Sequence, residues 1–340
     1  MAYPIMNNSH KILIIVGPTS SGKSELVVKL AKKFNGEIIS CDSRQIYKGM
    51  DLGTGKIPGK WNVDKTRGHA FCQHFVYKNI IHHCIDFINP KRKYSAALFQ
   101  YDAKKAIADV LRRGKLPILC GGTAHWIDAV VYNQQIPDVK PNAKLRKRLA
   151  RLSAECLFAR ISRLDPKRAK TIDRHNKRRL IRALEIVIST GKPVPPLDVI
   201  PSGAKNPLTK LDNLRDPSAA LGMTQNFNVL WIGINPPRPV LISKIKTRLK
   251  QRLKTGMINE VARLHRQGLS WKRLESFGLE YKFVSLYLQK KLTCEQMFEQ
   301  LFTAIKQYSR RQMTWWKRNK DIRWMASPTK TVKSVEKFLK

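Results

Sequence analysis

The sequence predicts an α/β protein: a P-loop NTPase-like core with a parallel sheet flanked by helices, interrupted by an all-helical insertion. Three observations point there. Short β-branched apolar runs stop at glycine turns, as buried parallel strands do. One of those turns reads G-x-x-x-x-G-K-[ST]. The stretch 140–192 has helical periodicity and 17 Lys or Arg against 4 acids, with no strand pattern. The expected division is 1–138 for the first part of the core, 139–200 for the basic insertion, and 201–340 for the rest of the core with C-terminal helices.

Lys11–Val16 is the first buried strand, ended by Gly17-Pro18. A helix over about Lys23–Phe34 follows, with Leu26, Val27, Leu30 and Ala31 on one face. Glu37–Ser40 is a second strand, ending at Cys41-Asp42-Ser43. Residues 53–80 read as a basic loop. Tyr94–Arg113 is a helix opened by Ser95 and closed by Gly114, signals of an N-cap and a C-terminal stop. Leu116–Cys120 is another buried strand, ending at Gly121-Gly122-Thr123. In the insertion, Leu180, Ala183, Leu184 and Val187 share a helical face. Gly191–Pro217 is rich in Pro, Gly, Asn and Asp and reads as a long loop. Val229–Ile234 returns as a strand, and helices are expected over about Pro239–Gln267, Trp271–Leu288 and Thr293–Arg318. Basic residues at every even position from Lys244 to Lys254 mimic a strand. Ile245, Leu249, Leu253, Met257 and Val261 instead continue at a spacing of four, so the segment is assigned to a helix, with Gly256 a tolerated interruption.

Composition narrows the function. Lys and Arg number 65 against 24 acids, a net charge of +41, which suits a polyanionic partner such as nucleic acid. No run approaches about 18 apolar residues, so no membrane span is expected, and the N-terminal residues carry no secretory signal pattern. The six cysteines (Cys41, Cys72, Cys84, Cys120, Cys156, Cys294) lack C-x-x-C spacing and read as reduced cytoplasmic thiols. His69, Cys72, His74, His82, His83 and Cys84 cluster in sequence; they read either as metal ligands or as a polar loop running into a strand, and their spacing is not that of common zinc modules.

Gly17-Pro18-Thr19-Ser20-Ser21-Gly22-Lys23-Ser24 lies between a strand and a helix, as a phosphate cradle requires. Its backbone N–H groups and the helix N-terminus attract an anion, Lys23 adds a point charge, and the Ser24 hydroxyl is placed to ligate Mg²⁺. A nucleotide kinase or NTPase generally also carries a second acid at a strand end. The strand 116–120 ends in Gly-Gly-Thr without one. Asp42 is the acid at a core strand end near the loop, suited to act as a general base on an acceptor nucleophile, or simply to cap a turn with Ser43.

Further segments follow in order: Ile38–Ser40 with Cys-Asp-Ser-Arg-Gln-Ile-Tyr-Lys-Gly-Met-Asp-Leu-Gly-Thr-Gly-Lys (41–56), His-His-Cys-Ile-Asp (82–86), Tyr-Ser-Ala-Ala-Leu-Phe (94–99), Gly-Gly-Thr (121–123), Arg-Arg-Leu-Ile-Arg-Ala-Leu-Glu (178–185), Gln-Met-Thr-Trp-Trp (312–316) and Ile-Arg-Trp (322–324). Together with the P-loop, over residues 11 to 325, the chain resembles the tRNA dimethylallyltransferases (tRNA isopentenyltransferases). The resemblance implies transfer of a dimethylallyl group from dimethylallyl diphosphate to N6 of adenosine 37 in the tRNA anticodon loop. The P-loop would then hold a leaving diphosphate with Mg²⁺, which accounts for the missing second acid. It implies Asp42 as the base, Thr123 near the reacting amine, and Arg248 on the diphosphate. It implies tRNA contacts from Asp42, Ser43, Arg44, Gln45 and Thr123, and from Arg146, Arg178, Arg179, Leu180, Ile181 and Arg182 of the insertion. Tyr47 reads as a base-stacking partner or as core. The enzyme is expected to be a cytoplasmic monomer of bacterial type, without the C-terminal zinc finger of eukaryotic members. The chain departs from the family at Ser-Phe-Gly-Leu-Glu-Tyr-Lys (276–282), where Gly-Tyr-Lys-Glu is more usual, and at Trp316-Lys317. A small-metabolite P-loop kinase and a non-catalytic RNA-binding P-loop module are the alternative readings.

Overall fold

The computed structural model describes residues 10–63, 73–195, 227–325 and 327–340. By internal packing the chain forms two units, Met1–Tyr132 with Ile200–Lys340, and Asn133–Val199.

The larger unit is built on one eight-stranded sheet. Its strands are β1 (Lys11–Val16), β2 (Gly36–Ser40), β3 (Lys60–Val63), β4 (Gln73–Tyr77), β5 (Ile80–His83), β6 (Leu116–Cys120), β7 (Asn228–Ile234) and β8 (Arg323–Met325), in the order β3-β4-β5-β2-β6-β1-β7-β8. From β5 to β8 every pairing is parallel; β3-β4-β5 is an antiparallel extension. Successive side chains of a strand face opposite ways, and β1 shows it. Ile12, Ile14 and Val16 join one core, and Leu13 and Ile15 the other. Both faces are covered, so the strand is apolar throughout rather than alternating. The second core is closed by α1 (Lys23–Lys33) and by Val335 of α13 (Pro328–Leu339). The first is closed by α2 (Ala96–Arg112), α3 (Ala124–Val131), and a helical series: α8 (Arg238–Lys254), α9 (Met257–Arg266), α10 (Trp271–Ser276), α11 (Leu279–Leu288) and α12 (Cys294–Trp316).

The smaller unit contains α4 (Ala143–Ala150), α5 (Ala154–Leu164), α6 (Pro166–Ala169) and α7 (Lys177–Thr190). Each begins at a side-chain cap: Asn142, Ser153, Asp165 and Asn176. Leu145, Leu149, Leu157, Ile161, Leu180 and Leu184 form its core.

Several expectations need correction. Residues 53–80 are not all loop: β3 and β4 form there, and β5 begins at Ile80. The helix expected over Pro239–Gln267 is two, because Gly256 is left-handed (φ 106°); Gly278 (φ 75°) likewise divides α10 from α11. A left-handed residue ends the i→i−4 ladder, so these glycines stop helices rather than being tolerated in them. Helix α3, strand β8 and helix α13 were not anticipated. Most of the loop expected at Gly191–Pro217, and His69 and Cys72, lie outside the described residues. Among the described residues no group of three or more His, Cys, Asp or Glu could hold a metal. His83 Nε2 instead sits 2.7 Å from Glu37 Oε2, and His82 is buried with burial lowering its pKa to about 3.

Candidate active site

Three adjacent parallel strands deliver the site. The P-loop leaves β1, Cys41-Asp42 leaves β2, and Gly121-Gly122 leaves β6, all at C-terminal ends, where open α/β sheets bind ligands. They line a cavity of about 1350 Å³, walled opposite by α8, α11 and α12.

One end of the cavity is a cationic cradle. Lys23 Nζ donates to Pro18 O (2.7 Å), which holds the ammonium over the loop. Arg248 and Arg252 project from successive turns of α8, and both press on Gly55. A Cβ at Gly55 would lie within 2 Å of each guanidinium, and its φ is +63°, so the site requires glycine. Arg248 donates to Ser20 Oγ and Gly55 O at a long 3.4 Å, bonds weak enough to exchange for an anion. Arg252 is held at 2.9 Å by Glu280 Oε1. Burial lowers Lys23 to about 8, with Arg248 adding to the effect against the opposing charge of Asp42. Burial and Arg252 lower Arg248 to about 10. Crowded, desolvated cations of this kind are relieved by an anion. Ser21 Oγ is buried there without a hydrogen-bond partner.

The loop 51–55 that meets these arginines is itself clamped. Glu260 accepts from the N–H groups of Asp51 (2.9 Å), Leu52 (2.7 Å) and Gly53 (3.0 Å) and from Tyr281 O–H (2.7 Å).

Asp42 caps its turn and also lines the cavity. Its Oδ1 accepts from Arg44 N–H (2.9 Å) and Gln45 N–H (3.4 Å), while Oδ2 lies on the Gly122 side, 3.8 Å from where a Cβ on that glycine would stand. Ser43 and Gln45 also line the cavity; Gln45 Nε2 donates to Gly55 O at 3.3 Å. Thr123 does not line it. Its Oγ1 accepts from Ser43 N–H (3.0 Å) and ties the β6 end to the β2 end one layer behind. Arg44 also lines the cavity, and its Nε donates to Phe277 O (2.7 Å), which anchors one edge of the guanidinium. Tyr47 is core, only 3% exposed, and offers no face to a base.

In the helical unit, Arg178 and Arg179 are exposed. Arg146 and Arg182 instead grip the buried carboxylate of Glu185, at 2.5 and 2.6 Å. Burial would raise the Glu185 pKa, but the two guanidiniums outweigh it and hold the group at about 2. Leu180 is fully buried in the unit's core, so its side chain cannot meet RNA; Ile181 is half-buried.

The sequence reading missed Arg252, Glu280, Glu260, Tyr308 and Gln312. Arg252 carried a signal, the i,i+4 spacing from Arg248. Glu280 sits in the divergent 276–282 segment, and its partner is 28 residues away.

The cradle has a pH signature. Below about 8, Lys23 is charged in the free protein; above that it is neutral and must take up a proton when an anion binds. Affinity for inorganic diphosphate, as the probe anion, should therefore hold to about pH 8 and then fall by up to roughly tenfold per unit. Calorimetry in two buffers of different ionisation enthalpy should detect the proton uptake; pH-independent affinity without uptake would contradict the assignment.

Comparison with known proteins adds to this geometry. The family model described as IPP transferase matches residues 45–319. The chain is 34% identical over 338 residues to tRNA dimethylallyltransferase 1 of Geotalea uraniireducens, covering 98% of each. It is 37% identical over 317 residues to tRNA dimethylallyltransferase 2 of Treponema denticola, covering 92% of this chain and 93% of that one. Among solved structures it resembles the tRNA isopentenylpyrophosphate transferase of Bacillus halodurans (TM-score 0.63, 30% identity, 97% of this chain and 95% of that one). It also resembles a eukaryotic dimethylallyltransferase captured acting on tRNA (TM-score 0.67, 26% identity, 93% and 74%).

Proposed function

Since the chain belongs to the IPP transferase family, its cavity is best understood as a prenyl-transfer site, and we propose that it moves the dimethylallyl group of dimethylallyl diphosphate onto N6 of adenosine 37 in the tRNA anticodon loop, releasing diphosphate. One observation supports this most: the P-loop cradle, reinforced by Arg248 and Arg252, shares its cavity with a carboxylate, Asp42, while β6 ends in Gly-Gly-Thr without an acid. A kinase site would need that second acid for its metal.

The N6 amine attacks the allylic carbon, the C–O bond to diphosphate breaks, and the N6 proton passes to Asp42. Lys23, Arg248 and the P-loop N–H groups take up the charge on the departing diphosphate, the electrostatic contribution that is usually largest. Ser24, exposed at the first turn of α1 and lining the cavity, would hold Mg²⁺ with diphosphate oxygens and water. That set fits an ion that prefers oxygen and keeps its waters. When bound, the ion neutralises leaving-group charge. Ser43 and Gln45 line the path to the base, and Thr123 acts by holding Ser43.

The reading keeps residues 139–200 as the tRNA-binding insertion on a core of 1–138 and 201–340, acting as a monomer in the cytoplasm where tRNA is met. No described helix is long and apolar enough to cross a membrane. Arg178 and Arg179 are exposed cations in the first turn of α7, beside exposed Lys177. Replacing both by Ala should weaken tRNA binding and reduce the salt slope by about 0.7–0.9 per lost phosphate contact. Donor use should be unchanged, and an unaltered slope would remove them from the interface. Arg146 and Arg182 are unsuited to that test, because removing either strips a partner from buried Glu185. The function itself is tested by mass analysis of tRNA incubated with dimethylallyl diphosphate and Mg²⁺: one added five-carbon unit at adenosine 37 is expected.

A further inference from the structure

Gln312 stands in the Gln-Met-Thr-Trp-Trp segment and lies one turn before the end of α12, only 5% exposed. Its amide faces two partners. Oε1 accepts from the N–H of Thr19 in the P-loop (2.8 Å), and Nε2 donates to the carbonyl of Gly122 at the end of β6 (2.9 Å). A backbone N–H can only donate and a carbonyl can only accept, so both partners demand this one orientation of the amide. The contact leaves no slack. A Cβ on Gly122 would lie 2.5 Å from Gln312 Nε2, and it would stand 3.8 Å from Asp42 Oδ2. Tyr308, one turn earlier, brings its O–H to the same carbonyl at 3.4 Å.

The helix bearing Gln312 is well anchored. A capping box at Thr293 starts it, Trp315 Nε1 donates to Asp128 of α3 at 2.7 Å, and Trp316 is buried in the core. One side chain on a fixed helix thus joins the loop that cradles the leaving group to the loop beside the base. We infer that Gln312 is a positioning residue that sets the separation between the diphosphate cradle and the acceptor side of the cavity. This rests on the prenyl-transfer reading. The Gln312 amide touches neither substrate in this role; it acts through Thr19 and Gly122. In-line displacement is sensitive to that separation, since misplacement by about 1 Å can cost roughly 10²-fold in rate.

The role predicts a split between binding and chemistry. Gln312→Met keeps length and bulk but removes both hydrogen bonds. Affinities for dimethylallyl diphosphate and for tRNA, measured separately, should stay within about threefold, while single-turnover transfer at saturating substrates falls by roughly 10²-fold. Gly122→Ala displaces the amide from the other side; its loss of rate should not add to that of Gln312→Met in the double variant. Gln312→Glu keeps an acceptor for Thr19 but sets a carboxylate oxygen against the Gly122 carbonyl. Its rate relative to the parent should rise toward acid, as the new carboxyl gains a proton to donate. A thermal melt of each variant monitors folding. Full transfer rates in folded Gln312→Met would overturn the inference, as would a loss of donor affinity that accounts for the whole loss of rate, additive losses in the double variant, or a flat relative pH profile for Gln312→Glu. If the parent protein transfers no prenyl group, the functional reading fails and this inference falls with it, whereas a fully active parent with an equally active Gln312→Met overturns this inference alone.

Discussion

Asp42→Asn should slow single-turnover prenyl transfer by roughly 10²–10⁴-fold while leaving both substrates bound, the usual worth of a positioned general base. The N6 amine of adenine is a weak nucleophile, because its lone pair is delocalised into the ring, and it must lose a proton as it attacks. Asp42 divides its labour between two oxygens. Oδ1 accepts from the N–H groups of Arg44 and Gln45, which leaves Oδ2, on the Gly122 side of this cavity-lining residue, for the proton. Asparagine keeps an oxygen for the first task, so the turn should survive and stability should change by no more than about 1 kcal/mol. At the second position it substitutes an NH₂ donor for the acceptor, which the attacking amine cannot use. The substitution therefore separates turn capping from proton transfer. Melting temperature, affinities and single-turnover rate, measured on the same preparation, should give near-parental values for the first two and a large loss in the third. A rate within a few-fold of the parent would leave Asp42 as a cap and the base elsewhere.

Lys23→Ala should cost about 10²–10³-fold in transfer rate, comparable to losing one donor from a preorganised oxyanion site. The ammonium is held over the P-loop by Pro18 O, and burial beside Arg248 has already destabilised its charge. That strain is released most where anionic charge is greatest, on the departing diphosphate. The rate should therefore suffer more than donor affinity. Lys23→Arg keeps the charge but not the compact ammonium, and should recover only part of the loss. Equal losses in affinity and in kcat/KM, with kcat unchanged, would mean that Lys23 binds the donor without assisting its departure.

Much of this was legible in the sequence, for a physical reason. Strands β1, β6 and β7 are buried on both faces over most of their length and appear as nearly continuous apolar runs, and the P-loop between β1 and α1 could be placed by inspection. The parts that escaped depend on distant partners. Strands β3 and β4 are short, polar, and paired at the margin of the sheet; their sequence resembles loop until Phe75 is seen packed inward. Three-residue β8 exists only because β7 lies beside it. The same holds in the site. Basic residues look alike in sequence, yet Arg178 and Arg179 are exposed, whereas Arg146 and Arg182 are taken up by Glu185. Leu180 followed its helical periodicity into the core rather than its neighbours onto the surface. Glu280 became part of the cavity only through Arg252, a pairing that no local pattern announces.

On the proposed function, the P-loop of this chain holds a leaving diphosphate rather than a nucleotide to be hydrolysed. The most direct test is to incubate the protein with Mg²⁺, an unmodified tRNA transcript and dimethylallyl diphosphate labelled in its prenyl carbons, alongside a parallel reaction with ATP in place of the prenyl donor. The expected result is label on adenosine 37 in a one-to-one ratio with diphosphate released, and no phosphate released from ATP. Steady ATP turnover with no label entering the tRNA would contradict it.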